Sequence, residues 1–238
     1  MIGVCLVKRT VLVAVTAFSL SGLSGCATTA NNPRDPFEGF NRVMFSVHEG
    51  IDAVVKPVAK GYDQVAPQPV KTGIGNFFGN IADVWIAFNN FLQGKPGDGL
   101  SDIGRVLLNS TLGIAGLIDV ASEVGLEKHA EDFGQTLGKW GIEEGGPYLF
   151  WPVIGPRNVR DTFGFVVDAS ADPVRHLEDV SARNVMMGVR FIDLRASMLP
   201  ADKVVEQAAF DKYNYIRDAY FQNRRSAIHD GNPPPLKD

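Results

Sequence analysis

Residues 70–92 read VKTGIGNFFGNIADVWIAFNNFL. Apolar side chains at Val70, Ile74, Phe77, Phe78, Ile81, Val84, Trp85, Phe88, Phe91 and Leu92 recur at steps of three and four, the period of one helix face. The face is wide and rich in Phe and Trp, and it predicts a long amphipathic helix. Within it, Gly75 and Gly79 make a GxxxG pair that could bring a second helix close.

The same period extends in both directions. From Phe40 it runs Val43, Met44, Val47, Ile51, Val54 and Val58, with Pro57 expected to kink or end that helix. A third helix is expected from Ser101, with Ile103, Val106 and Leu107 on its face, up to the Gly113-Ile114-Ala115-Gly116 break. Further helices are expected within 181–198, 201–210 and 211–228. Strand signals are thin: Thr136–Gly141 and Tyr148–Val153 flank a Gly145-Gly146-Pro147 turn and could pair as one short hairpin. The expectation is a mostly α-helical single domain over 35–231, without internal repeats. The uncharged runs Val106–Ile118 and Gly145–Pro156 fall well short of the roughly 20 residues a membrane-spanning helix needs.

The N-terminus reads as an export signal. Lys8 and Arg9 precede an apolar stretch from Thr10 to Leu20, too short to cross a bilayer core of roughly 30 Å. Leu23-Ser24-Gly25-Cys26 then resembles a bacterial lipobox, in which the Cys thiol takes a diacylglyceryl group and becomes the first mature residue. The competing assignment is an ordinary signal-peptidase site with Cys26 incidental. Residues 1–25 are thus expected to be signal peptide, 26–34 a lipidated tether and 232–238 a disordered tail. Ala27 follows the Cys instead of Asp, which by resemblance to lipoprotein sorting in enteric bacteria favours the outer membrane.

Cys5 leaves with the signal, so a lipid-bearing Cys26 excludes disulfides, thiol catalysis and zinc–thiolate sites from the mature chain. Without Lys8 and Arg9 the chain carries 21 basic against 27 acidic residues, a formal charge of −6 that argues against nucleic-acid binding. His48, His129, His176 and His229 are scattered. No pair has the i, i+4 spacing of a zinc helix and no GxSxG elbow occurs, so neither an enzyme, a metal site nor a cofactor is expected.

An ordered series of motifs carries a resemblance. It opens with Asp35-Pro36-Phe37-Glu38-Gly39-Phe40-Asn41-Arg42 and continues through Lys56-Pro57-Val58-Ala59, Asn76-Phe77-Phe78-Gly79-Asn80 and Asn89-Asn90-Phe91-Leu92-Gln93-Gly94. Arg105, Asn109–Gly113, Asp119-Val120-Ala121, Glu131–Gly138, Gly146-Pro147-Tyr148, Arg160-Asp161 and Arg217-Asp218-Ala219-Tyr220 follow. Together they resemble the MlaA (VacJ) family of outer-membrane lipoproteins. Phe45-Ser46-Val47-His48 departs from the Phe-x-Phe-Asn run common in that family.

The resemblance implies a ring-like helical domain lying in the periplasmic leaflet, anchored at Cys26 and bound to a trimeric outer-membrane porin. Mislocalised phospholipid would leave the outer leaflet through an amphipathic channel and pass to a soluble periplasmic lipid carrier, which maintains lipid asymmetry. Asn76, Phe77, Phe78, Asn80, Trp85, Asn89 and Asn90 are the candidate channel lining; capping and backbone hydrogen bonding are the structural alternative for the asparagines. Gly138, Gly141, Gly145, Gly146, Pro147, Tyr148 and Trp151 are the candidate gate or hinge, the alternative being a static Gly-rich turn. A non-conducting lipoprotein that scaffolds porins or envelope assembly is the other function left open.

Overall fold

The first long helix, α1 (Glu38–Val65), starts with Glu38 in its first turn and an i, i+4 ion pair from Glu38 to Arg42 at 2.7 Å. The computed structural model describes residues 32–235. The expected signal peptide, Cys26, most of the expected tether and the last three residues lie outside the described range. Helix α1 runs unbroken through Pro57, so the expected termination there does not occur; the helix tolerates the lost hydrogen bond to the preceding turn.

Pro69 in the first turn opens α2 (Gln68–Leu92), and Gly94, at φ 76°, ends it. Helix α3 (Pro96–Thr111) begins with Pro96 at its first turn, five residues earlier than the Ser101 cap expected from sequence. The three-residue link folds α3 back along α2, and Asn90 Nδ2 donates to Asp102 Oδ2 at 2.8 Å near the turn. Aspartate and asparagine caps set most later helix starts. Asp119 caps α4 (Val120–Glu123), Asp132 caps α5 (Phe133–Lys139) and Asn158 caps α6 (Val159–Ala171). Asp172 caps a 3-10 turn (Pro173–His176), Asp179 caps α7 (Val180–Ser197), α8 spans Leu199–Ala208, and Asp211 caps α9 (Lys212–Ile228).

One hairpin is present, but with a different partner from the one expected. Strand β1 (Tyr148–Trp151) pairs antiparallel with β2 (Gly155–Asn158), Tyr148 opposite Asn158 and Trp151 opposite Gly155. Residues 136–139 are helical instead, because Asp132 accepts the Gln135 N–H at 2.8 Å and nucleates α5. The GxxxG expectation also shifts. Near Gly75 and Gly79 only the side chains of Asp193 and Lys128 come close, whereas Gly164 of α6 lies so near Gly134 of α5 that a Cβ would meet its backbone nitrogen at 2.5 Å.

The elements close into a circuit: α1 packs on α7, α7 on α2, α2 on α5, α5 on α9, α9 on β2, and β1 back on α1. Phe45, Tyr148, Phe150 and Tyr213 form the aromatic core where α1, the hairpin and α9 meet. Elsewhere the distribution of polarity is inverted. Among the described residues 37 large hydrophobic side chains are exposed, and the 12 buried hydrophobics are outnumbered by 15 buried polar or charged residues. Water-soluble domains bury their apolar side chains and rarely expose broad apolar patches, so this body suits surroundings of acyl chain. Helix α1 shows the inversion clearly. Val43, Val47, Ile51, Val54 and Val58 point outward, while Asn41, Asp52 and Tyr62 face the protein. None of the described helices is long and apolar enough to cross a membrane.

Candidate functional site

Helix α2 contributes the floor of a cavity of about 400 Å³. Phe77, Ile81 and Val84 from α2 face Val106 from α3, Val174 from the 3-10 turn and Met186 from α7. The polar groups in its wall are Asn80 and Ser110: Asn80 Nδ2 donates to Ser110 Oγ at 2.9 Å, and the buried Asn80 Oδ1 has no partner. A second groove of about 310 Å³ runs between α2 and α3 beside Phe88, Phe91 and Leu107, and it shares Val84 and Val106 with the first. The two together give an apolar trough with one amide and one hydroxyl at one end. Such a lining accepts a hydrocarbon chain and offers a hydrogen-bonding foothold to a polar group.

Of the seven candidate channel residues, Phe77 and Asn80 line this cavity. Asn76 instead donates to the Leu117 carbonyl at 3.1 Å, tying α2 to the loop after α3. Phe78 is buried beneath the Arg190 guanidinium, 5.6 Å from its ring centroid. Asn89 and Asn90 are completely buried. The Thr136 hydroxyl donates to Asn89 Oδ1 at 2.7 Å, Asn89 donates to the Trp85 carbonyl at 3.0 Å, and Asn90 binds Asp102. Trp85 faces away from the cavity and donates its indole N–H to Asp168 at 2.7 Å. Val106, Val174 and Met186 were missed as site residues. Val106 sat in a recognised stripe, but nothing in one sequence says that stripes on α2, α3 and α7 converge.

Of the candidate gate residues, Gly138, Gly145, Tyr148 and Trp151 are packed or hydrogen-bonded. Tyr148 lies in the aromatic core, its N–H on the Arg34 carbonyl and its carbonyl on Asn41 Nδ2, both at 3.0 Å. Trp151 donates to Thr162 at 3.0 Å. A Cβ on Gly145 would collide with the Asn158 amide at 2.0 Å, and one on Gly138 would press on Ile228 at 3.0 Å. Gly141 and Gly146 are exposed and Pro147 is half-buried. Arg160 clamps the segment from below through the carbonyls of Ile142 at 3.0 Å and Glu143 at 2.7 Å.

Three polar networks fix the frame. Asp35 accepts from Asn41 at 2.8 Å, Tyr213 at 2.5 Å and Arg217 at 3.2 Å, while Asn41 Oδ1 takes the Phe150 N–H at 2.9 Å. Arg105 holds Asp119 through Nη2 at 2.9 and 3.0 Å, and the Ser122 hydroxyl and Leu126 carbonyl through Nη1. Burial opposes the charge on Asp119, but hydrogen bonds from Ser122, Arg105 and Asn109 hold its carboxyl well below the usual range. In the third network Arg224 bridges Asp132 and Asp161, and Arg160 also pairs with Asp161 at 2.7 Å. Burial works against Asp132 too, and Arg224 overcomes it, so Asp132 stays ionised below the ordinary carboxylate range. The histidines pair locally, His129 with Asp102 and His176 with the Ser170 carbonyl. Among the described residues no group of three or more metal-capable side chains forms.

The model of the MlaA lipoprotein family matches residues 33–227. The chain belongs to the MlaA lipoprotein family. It is 34% identical to the intermembrane phospholipid transport system lipoprotein MlaA of Shigella flexneri over 90% of this chain and 87% of that protein. With the protein of the same name from Haemophilus influenzae it shares 30% over 94% and 92% of the two chains. A solved structure described as the structural basis for maintenance of bacterial outer membrane lipid asymmetry superposes with a TM-score of 0.70, at 33% identity over 82% of this chain and 98% of that one.

The motifs behind the MlaA resemblance now have physical roles. The opening Asp35…Asn41 motif joins the chain start to β1 and α9. Arg105, Asn109 and Asp119 close the loop after α3, where Asn109 Nδ2 donates to Asp119 at 2.9 Å. Arg160-Asp161 and Tyr220 meet Arg224 in the third network. These MlaA motifs build the frame around the cavity.

Proposed function

We propose that this MlaA-family chain is the outer-membrane lipoprotein that removes mislocalised phospholipid from the outer leaflet and so maintains lipid asymmetry. It acts as a passive conduit and not as an enzyme. The observation that carries the proposal is the inverted body: polar networks inside, exposed apolar side chains outside, and an apolar trough along α2 with Asn80 and Ser110 at one end. A phospholipid needs both kinds of surface at once. Its chains lose about 0.8 kcal/mol per CH₂ when exposed to water, while its headgroup needs hydrogen-bonding groups.

On this proposal Cys26 carries the acyl anchor and holds the body in the periplasmic leaflet. A trimeric porin holds it laterally, and a soluble periplasmic carrier takes the lipid onward. Phe77, Asn80, Val84 and Val106 line the path. The segment from Gly138 to Trp151 serves as a fixed abutment, because its core packing and backbone clamps leave little to swing. Movement runs downhill from a crowded lipopolysaccharide leaflet to the carrier and needs no nucleotide at this step.

The test is surface-exposed phospholipid in a deletion strain that carries wild-type protein or Cys26→Ala. Deletion should raise the labelled signal, and only the lipidated protein should restore it. An unchanged signal on deletion, in a strain without a second copy, would leave the porin-scaffold role as the better account.

A further inference from the structure

The cavity along α2 is walled mainly by hydrocarbon, and none of its lining residues carries a charge. Asn80 of α2 and Ser110 of α3 are its two polar side chains. Asn80 is 7% exposed, and its Nδ2 donates to Ser110 Oγ at 2.9 Å. That bond uses one edge of the amide; the other edge, Oδ1, is buried without a partner. Ser110 Oγ is the acceptor in this bond, and its own O–H donates to no group among the described residues.

The amide is held where it stands. The loop after α3 packs its backbone against it: Gly116 takes φ 91°, and a Cβ there would come within 2.8 Å of Asn80 Nδ2. Asn76, one turn earlier on α2, fastens the same loop through the Leu117 carbonyl at 3.1 Å. The wall thus presents one fixed acceptor, Asn80 Oδ1, beside one available donor, the Ser110 hydroxyl. A bare buried acceptor is costly, and a ligand that brings an O–H removes that cost.

A hydroxyl next to an ester carbonyl, at the head of a hydrocarbon chain, answers this pair. A singly acylated glycerol has that arrangement. Its hydroxyl donates to Asn80 Oδ1, its ester carbonyl accepts from Ser110, and its chain lies along Phe77, Ile81 and Val84. A doubly acylated glycerol offers two ester carbonyls and no hydroxyl, which leaves Asn80 Oδ1 facing another acceptor. The volume of about 400 Å³ points the same way, because it lies near the small end of the range for ligand pockets and suits one chain better than a pair. A phosphate meets no cation in this wall and stays outside it.

We propose that the cavity is a subsite for lysophospholipid, the single-chain form of the cargo, recognised by its free glycerol hydroxyl at Asn80 Oδ1. The proposal rests on phospholipid being the cargo and adds a preference for one chain over two.

The experiment uses full-length lipidated protein in detergent and native mass spectrometry of lipid pairs competing in one sample. The deciding pair is palmitoyl lysophosphatidylcholine and its O-methyl ether, which share chain and headgroup and differ only in the hydroxyl proton. Wild type should favour the free hydroxyl by about tenfold, the loss expected when one buried acceptor stays unmade. Dipalmitoylphosphatidylcholine should be disfavoured by at least as much. Monopalmitoylglycerol, with the hydroxyl and no phosphate, should bind comparably to the lysolipid. Asn80→Leu should erase the preference, and Asn80→Asp, which keeps an acceptor, should retain it. Equal binding of the lysolipid and its methyl ether overturns the site, and needs no variant to fold. So does an Asn80→Leu protein that still discriminates, or failure of monopalmitoylglycerol to bind, which would make the headgroup the determinant. These results leave the cargo assignment standing, because the deletion-strain measurement decides that separately.

Discussion

The hairpin corner and the α2–α3–α7 wall are built on opposite principles. At the corner, Phe45, Tyr148, Phe150 and Tyr213 interlock, and buried Asp35 and Asn41 stitch three chain segments together with five hydrogen bonds between 2.5 and 3.2 Å. At the wall, α2 and α3 turn Val84, Phe88, Phe91, Ile103 and Leu107 toward open apolar grooves. At the corner Asp35 and Asn41 are fully engaged and the buried Tyr148 hydroxyl is left without a partner; the wall has free space and few polar groups. Stability concentrates in one region and passage in the other, so mutations in the two should separate unfolding from lipid clearance.

The largest effect is expected in the Arg224 network behind the corner. Arg224→Ala leaves Asp132 and Asp161 short of their common partner, and thermal unfolding should show a loss of about 3–5 kcal/mol. Next comes Asn41→Ala, which removes one of Asp35's three donors and strands two β1 backbone groups; denaturant unfolding should register about 2 kcal/mol or more. Both variants should lose lipid clearance only in proportion to folded protein.

A smaller effect should come from pH. His48 Nδ1 accepts the Val153 N–H at 3.1 Å, at the hairpin tip where Val153 takes φ 69°, so the imidazole must stay neutral there. Burial holds His48 below its ordinary value of 6.5. The unfolded chain therefore takes up the proton first. Stability is full above pH 6.5 and declines as the pH falls from there toward the folded value. Melting curves should show a drop on the order of 2 °C across that window, and His48→Gln, which keeps an acceptor without titrating, should flatten it. The smallest stability effect belongs to the wall. Val106→Phe grows into existing space in the cavity and should move the melting temperature by no more than about 2 °C.

The helices were legible in sequence because their stripes repeat at the helical period, and α1, α2 and α7–α9 form close to where that period places them. Periodicity identifies a face but not what the face meets, and in α1 the stripe of Val43, Val47, Ile51, Val54 and Val58 looks outward. The hairpin partner was misplaced because Gly145-Gly146-Pro147 reads as a tight turn, whereas the reversal occurs around Val153 and Ile154. The asparagines of α2 look alike in sequence. What separates Asn80, beside the cavity, from Asn89 is the partner Thr136, 47 residues further on, which no local pattern reveals.

The most direct test of the division between frame and path is outer-leaflet phospholipid in the deletion strain complemented with Val106→Phe, at matched levels of folded, membrane-held protein. Surface phospholipid should stay as high as in the empty strain, because the trough is filled while the corner is intact. Clearance equal to wild type would contradict the account and place the lipid path elsewhere.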